Sequence, residues 1–282
     1  MSTLSVSQMS EEQKQELFAE LKEKYNPEGS DLRKYQLHLT HVLVEFDKFC
    51  KTNEIHYYLG YGTLLGAVRH HGFIPWDDDA DIWMDRENYN KLATLMQGEH
   101  HVLNDFLSVG MGIRPQLWAP PYAYVDIFIL DSSPDNAIKR YVKQWTVVWY
   151  YILRKSREKI QSKTTSQAKW IYKLLSPIAI LGSVDYWKKR RETVMRWFLT
   201  GDTFHASQFV QVYNAILSQI HVRFPAQEVW EVDYAEFEGY LFPIPKGYDT
   251  ILKIEYGDYM SLPQNIHNHN IAYDLKNQLK DL

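Results

Sequence analysis

The sequence predicts a core of mixed helices and strands, α/β or α+β, with a largely helical insertion. Three observations predict it. Short runs rich in β-branched and aromatic residues alternate with helix-period segments up to residue 135. A glycine-poor, helix-period stretch follows over 136–225. Strand-like alternation returns over Glu228–Phe242, within a C-terminal part, 226–282, that rejoins the core, so the core draws on both ends of the chain.

The elements follow in order. Residues 1–30 read as a lead-in with a short helix at Glu11–Tyr25, and the core proper as 31–135. Asp31 to Thr52 is an amphipathic helix, because Leu32, Leu39, Leu43, Phe46 and Cys50 recur at helical spacing. Ile55 to Leu59 reads as a strand, and Gly60, Gly62 and Gly66 punctuate a turn and a helix start. Asp79 to Met84 reads as a strand and Arg86 to Met96 as a helix. Ala123 to Leu130 is an apolar run broken only by Asp126, short enough to be a buried strand, with Asp131 as a turn residue after it. From 136 to about 221 the pattern is helical. Around Phe237 to Phe242 it alternates as a strand that Pro243 and Pro245 end, and Tyr248 to Tyr256 closes as a helix.

Composition excludes several classes. With 282 residues, 45% of them hydrophobic, the chain can bury a core and is too apolar for disorder. Its one cysteine, Cys50, rules out an internal disulfide and a multi-thiolate zinc site. Residues 1–36 hold no apolar signal region, and no run is long enough to cross a bilayer. A cytoplasmic location is the expectation. The net charge of −4 hides an asymmetry: fifteen Lys and Arg face three acids between Lys139 and Arg196. A basic segment in an acidic chain attracts anions. Lys188-Lys189-Arg190-Arg191 beside Trp187, and the aromatic run Trp145–Tyr151, suit peripheral contact with a membrane surface through 139–196.

Chemistry concentrates in Asp77-Asp78-Asp79-Ala80-Asp81, four carboxylates in five residues. Charges this close resist ionisation unless a cation neutralises them. The cluster runs into the apolar Ile82-Trp83-Met84, not into a polar loop. On a strand, Asp79 and Asp81 would share a face. Two hard oxygens on one face suit Mg²⁺, with Mn²⁺ as a substitute. Asp126, alone in an apolar strand, is the candidate third ligand, since a buried unpaired charge is costly.

Just upstream, Gly60-Tyr61-Gly62-Thr63 opens a helix. Such a start offers N–H groups, a hydroxyl and a positive dipole end to phosphate. Gly62 and Thr63, with Asp77 and Asp78 in the acidic run and Arg69 and Arg86 as cations, form the expected donor-phosphate set.

The run Tyr61-Gly-Thr-Leu-Leu-Gly-Ala-Val-Arg-His-His-Gly-Phe-Ile-Pro-Trp-Asp-Asp-Asp-Ala-Asp-Ile82 resembles the signature of the LicD family, to which the fukutin-related proteins are distantly related. Gln36–Cys50 is similar to that family's leading helix. Tyr124-Val-Asp-Ile-Phe-Ile-Leu-Asp131 is similar to its Val-Asp strand, with Ile129 where proline is common. Phe242–Tyr248 and Tyr256–Met260 resemble its C-terminal motifs. The resemblance implies an α+β, nucleotidyltransferase-like mixed-sheet core. It implies an Mg²⁺-dependent transfer of phosphocholine, or a similar phospho-alcohol, from a CDP-linked donor such as CDP-choline. The acceptor would be a sugar hydroxyl of a cell-surface glycan, such as a teichoic acid precursor or lipopolysaccharide, lipid-linked in some cases. CMP would leave. Carried over by motif position, Asp79 and Asp81 hold the metal, Asp126 completes the site or acts as base, and Gly62 and Thr63 contact donor phosphates.

Choline would need an aromatic cage; Trp83, Trp118, Tyr122 and Tyr124 lie near the motif strands. His267 and His269 form a weak His-x-His pair. Two other functions fit parts of the pattern: a nucleotidyltransferase moving NMP from an NTP to a sugar, antibiotic or protein, and a non-enzymatic anion- or membrane-binding protein. Nucleic acid is not an expected partner.

Overall fold

The computed structural model describes residues 6, 9–96, 102–109, 112–119, 123–162, 170–198, 207–213 and 221–262. The chain divides into two compact units. The first comprises 1–105, 115–129 and 227–282, and the second 106–114 and 130–226. The fold is α+β.

In the first unit, α1 (Glu11–Tyr25) starts on a capping box between Ser10 and Gln13. Helix α2 (Asp31–Thr52) is capped by the Ser30 hydroxyl, which accepts from the Arg33 amide at 3.1 Å. Its apolar stripe is in the core, with Leu39, Leu43, Phe46 and Cys50 all buried. Burial pushes the Cys50 thiol far above its usual range, so it is an inert small hydrophobe. Strand β1 (Tyr58–Leu59) leads through Gly60 into α3 (Tyr61–His70), followed by β2 (Asp81–Asp85) and α4 (Arg86–Leu95). Strands β3 (Val102–Val109) and β4 (Gly112–Ala119) precede β5 (Ala123–Ser132). The sheet runs β1-β2-β5-β4-β3, so the acidic strand and the Asp126 strand are neighbours.

The second unit takes over at the end of β5. There α5 (Ala137–Ser162), α6 (Trp170–Leu174), α7 (Ser176–Ala179) and α8 (Val184–Met195) form a helical group. Val147, Val194, Met195 and Tyr213 make one buried cluster, and Leu153, Ala179 and Trp187 another. The stretch is not wholly helical. Strand β6 (Phe209–Val212) pairs with Leu130–Ser132 of β5, and β7 (Phe224–Pro225) pairs with β6. The β-branched Val210 and Val212 favour the pleat, and both are buried. Asp131 is therefore not a turn residue; it sits buried within β5 opposite Gln211.

The chain returns to the first unit through α9 (Ala226–Trp230), the hairpin β8 (Val232–Phe237) and β9 (Tyr240–Pro245), and α10 (Tyr248–Tyr256). Glu238 and Gly239 turn the hairpin with positive φ at both positions, 53° and 80°. That matches the twist of a two-residue connection. Pro243 does not end the strand as expected but lies inside β9, opposite Tyr234, whereas Pro245, opposite Val232, is its last residue. In a two-stranded ribbon each strand is an edge, so a missing N–H is tolerated.

Candidate active site

The site is built on three elements of the first unit: the start of α3, the acidic run with β2, and β5. One carboxylate oxygen each from Asp79, Asp81 and Asp126 lies within 4.8 Å of the others. Asp81 and Asp126 are buried and Asp79 is half-buried. Asp79 does not share a strand with Asp81, because β2 begins at Asp81. The run before it is irregular, yet it still brings Asp79 to the same point. Backbone bonds fix the rest. The Asp126 amide donates to the Ala80 carbonyl at 2.8 Å, and the Gly60 amide donates to the Asp81 carbonyl at 2.9 Å.

The opening of α3 holds the cluster in place. Thr63 is buried, and its Oγ1 accepts from the Asp81 amide at 2.8 Å. Gly60 and Gly62 are required by close approach: a Cβ on Gly60 would stand 2.6 Å from the Trp83 ring, and one on Gly62 2.8 Å from Asp77 Oδ2. Tyr61 holds a positive φ of 43°, a strained conformation at the helix start. Asp77 and Asp78 are half-buried beside the cluster. Burial first, then the charges of Asp79 and Asp78, hold the Asp77 carboxyl well above its usual range.

The two candidate arginines lie apart in role. Arg69 is buried near the end of α3, and its Nη1 donates to the carbonyl oxygens of Tyr259 at 2.6 Å and Ser261 at 3.3 Å. Burial pulls its value down to about 10. In this structure Arg69 clamps the segment after α10. Arg86 is half-buried at the first position of α4. Among the aromatics, Trp83 is buried and packs edge-on against Tyr61 at 5.1 Å. The side chains of Trp118 and Tyr124, and residues Tyr122, His267 and His269, lie outside what the structure describes.

Two residues join the site that sequence reasoning did not single out. Gln36 of α2 is buried, and its Nε2 donates to the Asp77 carbonyl at 2.9 Å, so α2 props the acidic run from behind. A buried Gln in an apolar helix stripe is the signal that marks it. Tyr256 ends α10. Its phenol is held above the usual range by partial burial and by the charges of Glu255, Asp81, Asp77 and Asp79. The Tyr256-Gly-Asp-Tyr run was visible in the sequence, but nothing there placed its ring beside the carboxylates.

Three carboxylates gathered this closely, two of them buried, repel one another unless a cation sits among them. Hard oxygen donors in that number fit a divalent cation that also takes oxygens from a phosphate. An α+β sheet with carboxylates gathered from β2, the run before it and β5, beside a glycine-opened helix, defines a class of site that can hold a divalent cation against a phosphate.

Comparison with known proteins narrows that class. Residues 54–111 match the family described as "LicD/FKTN/FKRP, nucleotidyltransferase domain". The chain is 27% identical over 269 residues to the lipopolysaccharide cholinephosphotransferase LicD of Haemophilus influenzae, covering 86% of this chain and 98% of that protein. It is also 44% identical over 122 residues to an uncharacterised protein of Rickettsia typhi, covering 42% of this chain and 37% of that one. The resemblance to the LicD family read from the signature therefore holds, both by its nucleotidyltransferase domain and along most of the chain.

Proposed function

We propose that the protein transfers phosphocholine, or a similar phospho-alcohol, from a CDP-linked donor to a sugar hydroxyl of a cell-surface glycan, releasing CMP. The observation that carries this reading is the Asp79–Asp81–Asp126 cluster held against the Gly60–Thr63 helix start. The similarity to a lipopolysaccharide cholinephosphotransferase supports the alcohol and the acceptor class. A teichoic acid precursor is the alternative acceptor of the same chemistry.

Asp79 and Asp81, with Asp126, would hold Mg²⁺ or Mn²⁺. When bound, the ion supplies neutralisation of charge on the donor's phosphate oxygens. The acceptor oxygen bonds to the phosphorus that carries the alcohol, and the bond to the CMP oxygen breaks. Asp126 completes the metal site or takes the acceptor hydroxyl proton. Thr63 accepts from the Asp81 amide, which leaves its O–H to donate to a phosphate oxygen. Gly62 leaves room for Asp77 and for close approach of a phosphate to the backbone. Asp78 and Arg86 border the same place, while Arg69 acts through the segment that it clamps.

The site belongs on the cytoplasmic side, where CDP-linked donors are made, with the acceptor at the inner face of the membrane. No helix among the described residues is long and apolar enough to cross a membrane. The basic second unit supports a peripheral contact, with a corrected surface. Trp187 and Arg191 are buried, whereas Lys189 and Arg190 are exposed. Ile138, Tyr141, Val142, Trp145 and Trp149 form an exposed stripe on α5.

A donor screen with CDP-choline, CDP-ribitol, CDP-glycerol and CDP-ethanolamine tests the reading, with CMP release as the readout. Release of pyrophosphate from an NTP, with no CMP from any CDP-alcohol, would favour the nucleotidyltransferase alternative. Turnover of neither would leave an anion-binding protein.

A further inference from the structure

Glu238 stands at the first central position of the β8–β9 turn with a φ of 53°, where asparagine, aspartate or glycine is the usual occupant. Its side chain is 13% exposed and reaches both α2 and the segment after α3. The carboxylate accepts three hydrogen bonds. Oε1 takes Arg33 Nη1 at 3.0 Å and the Phe73 amide at 3.1 Å, and Oε2 takes Arg33 Nη2 at 2.7 Å. The Glu238 amide joins the same segment, donating to the His71 carbonyl at 2.9 Å. Gly72 admits the carboxylate, since a Cβ there would stand 2.5 Å from Oε1. One turn residue thereby ties the hairpin to α2 and to the backbone that leads into the acidic run.

The bonds continue to the acidic run itself. Arg33 is buried, and its Nη1 also donates to Gln36 Oε1 at 3.3 Å. Asn26 Nδ2 donates to the same oxygen at 2.7 Å. With its oxygen so occupied, Gln36 turns its Nε2 to the segment after α3. There it donates to the Ile74 carbonyl at 3.4 Å and the Asp77 carbonyl at 2.9 Å. The Asp77 amide closes a turn on the Ile74 carbonyl at 2.9 Å. Residues 71–77 are thus held by Glu238 at one end and Gln36 at the other. A cavity of about 220 Å³ borders Arg33, Gln36, Phe73, Pro75 and Glu238, so packing on that side is incomplete and the hydrogen bonds carry more of the positioning. Asp79 follows in irregular backbone. It sits between the Asp77 carbonyl held by Gln36 and the Ala80 carbonyl that accepts from the Asp126 amide.

We propose that Glu238 is a positioning residue for Asp79, resting on the reading of the carboxylate cluster as a divalent-cation site. It acts through Arg33 and Gln36 on the Asp77 carbonyl, and through the Phe73 amide on the backbone before it. The choice of donor or acceptor does not enter.

The test is Mn²⁺ binding to the full chain by isothermal titration calorimetry, well below the melting temperature, with melting curves in EDTA alongside. Glu238→Ala should weaken Mn²⁺ binding on the order of tenfold, as for groups that orient metal ligands. Gln36→Ala should weaken it similarly. The double variant should be no weaker than the worse single one, because both residues act through one chain of bonds. If Glu238→Ala does not fold, Glu238→Gln takes its place in both measurements. It keeps the shape but loses the charge that holds Arg33, and should still weaken Mn²⁺. A lower melting temperature in EDTA with wild-type Mn²⁺ affinity would make Glu238 a purely structural residue and overturn the proposal. Losses that add in the double variant would overturn it too, by placing Glu238 and Gln36 on separate routes. No Mn²⁺ binding in wild type would overturn the metal site itself along with the proposal, a result distinct from normal binding in the Glu238 variant alone.

Discussion

The amide of Asp81 donates to the Thr63 hydroxyl at 2.8 Å, joining the first turn of α3 to the first residue of β2. A helix start and a metal-ligand strand are thereby locked in register. Thr63→Val keeps the shape and removes the acceptor. The buried N–H is left unsatisfied, at a cost of roughly 1–3 kcal/mol. Denaturant unfolding should show that loss, and activity should fall with it. Unchanged stability would mean that the contact does not hold the two elements together.

Gly62→Ala tests the closeness of Asp77. The new Cβ would sit 2.8 Å from Asp77 Oδ2, so the carboxylate must move. Donor turnover should fall on the order of tenfold or more, as expected when site geometry is displaced by about 1 Å. Unfolding should change little, since the contact is with the end of a side chain. An alanine variant with wild-type kinetics would remove Asp77 and Gly62 from the donor site.

Asp126→Asn preserves the shape but loses charge and basicity. Steady-state kinetics should show a fall in kcat larger than any rise in KM for the donor, as for a group acting mainly in the transition state. A rise in KM with kcat unchanged would make Asp126 a uniform binding residue.

His70 gives a pH prediction. Its Nε2 accepts from Arg69 Nε at 3.0 Å, and burial, then the charge of Arg69, holds it well below the usual 6.5. The folded state thus resists a proton that the unfolded chain takes up near 6.5. Stability is complete above that value and declines as pH falls below it, toward the folded value. Melts across this range should show a shallower acid-side decline for His70→Gln than for wild type. Parallel curves would show that His70 titrates normally.

Much of this was legible because it is local. The helix Asp31–Thr52 follows from its stripe of Leu39, Leu43, Phe46 and Cys50, and the Asp-x-Asp run marks its own chemistry. What was not legible depends on contacts across the chain. Pro243 looks like a strand end until its partner Tyr234 shows that it lies in a two-stranded ribbon. Phe209–Val212 is too short to stand out within a helical stretch, and only pairing with β5 makes it a strand. Trp187 and Arg191 read as surface from their charged neighbours but are buried by α5. Arg69 looks like a phosphate ligand by position, while its guanidinium reaches Tyr259, 190 residues away in sequence.

The central claim is that Asp79, Asp81 and Asp126 together carry a metal-dependent transfer from a CDP-linked donor. The most direct measurement is CMP release from CDP-choline as Mg²⁺ is titrated, for wild type, Asp79→Asn and Asp81→Asn, with melting curves in EDTA alongside. Wild type should need Mg²⁺ and saturate with it. Both variants should release no CMP at any Mg²⁺, while melting at or above the wild-type temperature in EDTA because like-charge repulsion is relieved. Wild-type release in EDTA, or near-normal release by either variant at low Mg²⁺, would contradict the claim.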